Sequence, residues 1–148
     1  LDVMSERLER AGQSLPSYVI IREEDGAIKG RLLQLNREAA AEKLNALDTV
    51  EEAKSLDVTI LHDFVLAQLT NVSLEAQAAK TNIRYPRSLP DAERAARRND
   101  TEMVFLMNAT PIQQIRDVCV AGGFMPQKST YFYPKVLSGL VINDLTSF

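Results

Sequence analysis

Ser17-Tyr18-Val19-Ile20-Ile21-Arg22, the tetrapeptide Glu23-Glu24-Asp25-Gly26, and Gly30-Arg31-Leu32-Leu33-Gln34-Leu35 form the stretch on which the fold turns. Aromatic, β-branched and aliphatic residues crowd both flanks, and Asp25-Gly26 tolerates the positive φ angles of a tight hairpin turn. Two antiparallel strands are expected. The residues that follow read as helical: Asn36 can cap a helix over residues 37–44 with Glu38 near its positive end, and Thr49-Val50-Glu51-Glu52 has the spacing of a capping box. Asp57 would cap a stronger helix, in which Val58, Leu61, Val65 and Leu69 recur at helical spacing while Ile60 and Phe64 widen the apolar face. That width implies burial.

Further along, residues 73–80 read as a short helix. Ile83-Arg84-Tyr85 before Pro86 reads as an edge strand, because proline ends pairing on its own side, and residues 89–98 as a charged, exposed helix. Glu102-Met103-Val104-Phe105-Leu106-Met107 is a nearly continuous apolar run, as expected of a central strand covered on both faces. A helix should then start at Pro111, with Thr110 as N-cap, Gln113 completing the box, an inner face of Ile112, Ile115, Val118 and Cys119, and a stop at Gly122-Gly123. A helix stop explains Gly122 and makes Gly123 ordinary. The remainder is punctuated by proline and glycine, with short β runs at residues 130–133 and 140–143. No internal repeat or linker divides the chain, so the expectation is a single α+β domain over residues 1–148, with a mixed or antiparallel sheet and several helices.

Composition narrows the function classes. A chain of 148 residues, 45% hydrophobic and 25% charged, is long enough for one domain with a proper core. Its formal charge of -3 and pI near 5.2 supply no basic field, so nucleic acid is not an expected partner. One cysteine, Cys119, allows neither an internal disulfide nor a cysteine-based metal site. No apolar run reaches the roughly 18 residues of a membrane span, and no signal-peptide order opens the chain, so a cytoplasmic protein without membrane contact is expected. Leu1-Asp2-Val3-Met4-Ser5 lacks an initiator methionine, and Glu6-Arg7-Leu8-Glu9-Arg10-Ala11-Gly12 reads as the end of an amphipathic helix. The expectation is a chain that starts inside a longer protein.

The densest functional chemistry lies in Phe124-Met125-Pro126-Gln127-Lys128-Ser129-Thr130-Tyr131-Phe132-Tyr133-Pro134-Lys135. Lys128 and Lys135 offer point charges, Ser129, Thr130 and Gln127 offer hydrogen bonds to anion oxygens, and Tyr131 could stack on a flat group. No glycine-rich loop with Walker spacing precedes them. The competing reading is a structural loop that leads into an edge strand with solvated lysines.

Elsewhere the chemistry is sparse. His62, the only histidine, neighbours Asp63, but adjacent helical positions point about 100° apart, so a satisfied, partly buried imidazole is expected rather than a catalytic pair. With one histidine and one cysteine no metal site is expected. Glu23, Glu24 and Asp25 at a hairpin tip and Glu51 and Glu52 at a helix start are explained by solvent and the helix dipole. Cys119 is expected to be a small buried hydrophobe.

The segments from Phe105 to Ile115, from Ala121 to Lys135 and from Ser138 to Asn143, with Met125-Pro126-Gln127-Lys128-Ser129-Thr130 at their centre, resemble the C-terminal end of the domain-of-unknown-function family numbered 1015, an uncharacterised family of bacterial and archaeal proteins. The likeness extends more weakly through Leu56-Asp57-Val58-Thr59-Ile60-Leu61-His62 and Ile83-Arg84-Tyr85. It implies that the chain is the back part of a protein more than twice its length. In such proteins an earlier Asp-Gly-His-His-Arg stretch looks like the signature of ParB-like folds and of a free-serine kinase; no such stretch occurs here. Two functions follow as expectations. In one, the region completes a phosphotransferase-like site for a nucleotide or phosphorylated small molecule, its catalytic residues lying in the missing N-terminal part, its main partner. In the other, it is a noncatalytic scaffold or self-association module, a homodimer among its forms. The chain by itself carries no expected cofactor and no expected turnover; a nucleotide belongs to the full-length protein.

Overall fold

In a computed structural model that describes residues 1–126, 129 and 130, the hairpin forms as its sequence dictates. β1 (Ser17–Glu24) and β2 (Ala27–Gln34) pair antiparallel from Ser17 opposite Gln34 to Glu24 opposite Ala27. Asp25 (φ 55) and Gly26 (φ 77) make the turn, both left-handed as a two-residue hairpin loop with matching twist requires. β3 (Val104–Met107) adds to the other side of β1, Tyr18 opposite Met107 and Ile21 opposite Val104, giving the order β2-β1-β3. The apolar run at residues 102–107 is therefore not the middle strand among the described residues; β1 is. Its continuous hydrophobicity answers instead to helices on both faces of the sheet.

On one face, α1 (Asp2–Gly12) and α6 (Leu89–Ala96) bring Leu8, Ala92 and Ala96 onto Val19, Ile21, Val104 and Leu106. Gly30 of β2 leaves room here for the Met4 side chain of α1, whose flexible thioether end a Cβ would displace. On the other face, Tyr18 packs with Leu35, with Ala40 and Leu44 of α2 (Arg37–Asn45), and with the long helix that begins at α4 (Asp57–Thr59). A third cluster, Ala53, Leu56, Val58 and Val118, joins α3 (Glu51–Lys54) to α7 (Ile112–Val120). The result is an α+β domain with an antiparallel sheet. No helix among the described residues is long and apolar enough to cross a membrane.

Helix starts divide into two groups. Asn36 accepts from the Ala39 N–H at 3.1 Å, as expected, and Ser73 and Ser88 cap α5 (Leu74–Ala79) and α6 in the same way. Thr49, Asp57 and Thr110 do not cap: the N-cap positions belong to Val50, Leu56 and Pro111, without side-chain bonds. Val50 and Leu56 are held by the third cluster, so burial places an apolar residue where sequence pattern expects a polar one.

From Ile60 the α4 helix continues to Leu69 as a π-helix, closed by the Thr70 N–H on the Val65 carbonyl at 3.2 Å. Its wider turn takes more residues, so the face drifts: Leu61 stays buried, whereas Leu69, expected inside, is 58% exposed. Ile83-Arg84-Tyr85 forms no strand, because Arg84 forks onto Asp100 and the Tyr85 ring lies against His62. α7 docks chiefly through Val118. Ile112 (73% exposed) and Cys119, both expected inside, face outward, so the lone cysteine is not a core residue. The β runs expected at residues 131–133 and 140–143 lie outside the described residues, and Thr130 is in no strand.

Candidate functional site

The loop after α7 is fixed at its base by two glycines and a methionine. Gly122 adopts φ 77, which turns the chain out of the helix. Gly123 is more than a helix stop: a Cβ there would collide with the Val50 side chain and lie 3.1 Å from Val118 Cγ1, so only glycine lets the backbone pass this close. Met125 then packs against the third cluster. Ser129 closes a turn, its N–H donating to the Pro126 carbonyl at 3.3 Å and its hydroxyl donating to the same oxygen. The Ser129 proton is thus committed within the loop, leaving its oxygen as an acceptor, while Thr130 lies exposed. Gln127, Lys128, Tyr131 and Lys135 lie outside the described residues, so two of the six expected ligand-binding residues are placed.

A second constellation surrounds His62, at the start of the π-helix. Gln77 of α5, 7% exposed, donates through Nε2 to the His62 carbonyl at 3.0 Å and the Val72 carbonyl at 2.9 Å, and its Oε1 lies 2.5 Å from His62 Nδ1. The imidazole is stacked on Tyr85, centroids 6.1 Å apart and planes 16° apart. His62 is therefore partly buried and partnered at Nδ1, but by residues 15 and 23 positions away that no local spacing announces. The one hint was Gln77 itself, an amide standing among Ala76, Ala78 and Ala79. Beside the ring, burial pushes the Asp63 carboxyl up, opposed by the His62 charge.

The other polar groups are held by neighbours within the fold. The Tyr18 hydroxyl donates to the Asp57 carbonyl at 2.6 Å, and burial, then the Asp57 charge, raises its phenol well above the usual range. Burial pushes the Asp57 carboxyl to about 6 against the opposing charge of Arg37. Arg31 and then Lys29 hold Glu24 below the carboxylate range at the hairpin tip, and Arg98 and Arg84 do the same for Asp100. The exception is the Thr59 hydroxyl, buried without a partner among the described residues. Two clefts open on the described surface, both shallow: one of about 250 Å³ between the hairpin tip and the end of α6, lined by Arg22, Glu23, Arg97 and Glu102, and one of about 520 Å³ beside α7, lined by Glu52, Arg116 and Val120. Among the described residues no three histidine, cysteine, aspartate or glutamate side chains gather as a metal site would need.

Comparison with family models, with curated proteins and with solved structures found no match to this chain.

Proposed function

We propose that this chain contributes one wall of a binding site for an anionic small molecule, a nucleotide or phosphorylated metabolite, at the loop that follows α7. It completes a phosphotransferase-like site whose catalytic groups lie elsewhere in the same protein, as the likeness to the family numbered 1015 implies. The observation that supports this reading is the anchored base of the loop. Gly123 pressed against Val50 and Val118, and Met125 seated on the third cluster, fix the start of the segment whose sequence carries two lysines, two hydroxyls and an amide. A fixed starting point lowers the conformational freedom that a ligand-binding segment loses on binding.

The test is thermal stabilisation by ATP and by inorganic phosphate, compared between wild type and Lys128→Ala. A ligand that binds only the native state at about 100 times its Kd stabilises by about 2.7 kcal/mol. The expected outcome is a response that Lys128→Ala weakens while the unliganded melting temperature stays put, as follows for a lysine that serves the ligand rather than the fold. An unliganded melting temperature that falls with ligand response unchanged would make the lysine structural and sink the proposal.

A second reading, self-association, is favoured by one observation: Ile112, Val120 and Phe124 are 73%, 79% and 89% exposed on and just after α7. Under that reading a second copy covers them, and Ile112→Asp lowers the mass measured by analytical ultracentrifugation without altering the ATP response.

A further inference from the structure

The buried amide of Gln77 determines more than the position of a helix. Both groups facing its Nε2 are carbonyls, which only accept, so the amide cannot be turned over and Oε1 must be the atom that faces His62 Nδ1. Oε1 also only accepts. Nδ1 therefore carries a proton, and the neutral ring holds its lone pair on Nε2. That nitrogen has no partner among the described residues, and His62 is only partly buried.

We propose that His62 Nε2 is a proton-accepting site of this chain for a small protic ligand, an alcohol, an amine or water, and that Gln77 is its positioning residue. In the transfer, the X–H bond of the ligand breaks and leaves its electron pair on X. A bond forms between the proton and Nε2, and the imidazolium keeps its Nδ1–H on Gln77. The three bonds of Gln77 are the same before and after, so the ring gains charge without any part of the fold yielding. Tying α5 to the π-helix needs only the two amide hydrogens on the backbone carbonyls; the third bond orients the ring. Among the described residues, the titratable groups at the ring are Asp63 on its own helix and Tyr85 on the segment stacked against it, while α5 presents the neutral Gln77. The Tyr85 face accommodates a charged ring as readily as a neutral one. A hydrogen bond from Nδ1–H to a fixed acceptor, with Nε2 left open, is the arrangement by which a second group selects the working nitrogen of a basic histidine.

The experiment uses the full chain. In two-bond ¹⁵N–¹H correlation spectra of the wild type at alkaline pH, a single His62 tautomer protonated at Nδ1 is expected; protonation at Nε2 overturns the proposal. Reactivity is read with p-nitrophenyl acetate, a probe whose hydrolysis is accelerated by an accessible neutral imidazole. Wild type should exceed His62→Asn by at least about tenfold, against the ~10²–10⁴ that a positioned base contributes on its own substrate. His62→Asn retains a side-chain N–H for Gln77 Oε1, so its melting temperature should stay close to wild type while the rate falls. Equal rates in the two proteins overturn the proposal. Gln77→Met should give a mixture of tautomers and an intermediate rate; a spectrum unchanged from wild type would show that Gln77 does not position the ring. Should that variant not fold, the wild-type spectrum and the His62→Asn comparison decide the question.

Discussion

Asp57→Asn should stabilise this protein at neutral pH. The carboxyl of Asp57 is half-buried in the first turn of α4, and burial raises it from 3.8 to about 6, a difference of 2.2. At about 1.36 kcal/mol per pKa unit that corresponds to roughly 3 kcal/mol of penalty on the ionised form, and solvent screening of a group still partly exposed brings it to roughly 1.5. Losing a carboxylate near a helix N-terminus costs about 0.3–1 kcal/mol in the opposite direction. Desolvation wins, and the net gain for Asn is about 1 kcal/mol. The sign with pH follows from the folded value lying above the unfolded one: the native state binds more protons in the window between them. Wild-type stability is therefore full below about 3.8 and declines as pH rises through about 6. Urea unfolding at closely spaced pH values measures both effects. In Asp57→Asn the decline across that window should flatten, and the midpoint at neutral pH should rise. A variant that is less stable than wild type at neutral pH with the same pH dependence would refute the reasoning.

Three further outcomes are expected from chemical unfolding. Asn36→Ala should cost about 1 kcal/mol through loss of the cap on α2, whereas Thr110→Ala, which removes no cap, should stay within about 0.5 kcal/mol; equal losses would show that Thr110 caps after all. Gly123→Ala should cost about 1–3 kcal/mol, because its Cβ has no room beside Val50 and Val118, and a neutral result would mean that the loop base shifts freely. Leu56→Ala, at a side chain with 0% exposure, should cost about 2–5 kcal/mol, and a loss below 1 would place Leu56 outside the core.

What was legible in the sequence is what local chemistry decides. The Asp25-Gly26 turn, the Asn36 cap and the Ser73 helix start depend on residues within a few positions of one another, and each stands where the pattern puts it. The place of β3 at one side of β1 does not, since an apolar run records that both faces are covered and says nothing of which strand lies beside it. The outward face of α7 is of the same kind: Ile112, Cys119 and Val118 fit one helical stripe on paper, and only the position of α3 selects Val118 as the residue that docks. The lysine-bearing segment was legible only as composition, while the orientation of His62 was not legible at all, because Gln77 reaches it from the next helix.

The misplaced helix caps have a common energetic cause, and it leads back to Asp57. A side-chain cap is worth about 1 kcal/mol, whereas full burial of a leucine is worth about 1.5–3. Where the two compete for one position, burial prevails. At the start of α4 the chain seats Leu56 in the third cluster, with no exposed surface, and the N-cap position goes with it. Asp57, next in line, becomes the first helical residue and is drawn half inside with no cap bond of its own. Its raised carboxyl is thus the residue of a competition that the leucine won. The same ordering explains Val50 ahead of α3, which packs on that cluster while Thr49 gives up the cap. Side-chain caps form in this fold where no apolar neighbour contends for the core, as at exposed Asn36, Ser73 and Ser88.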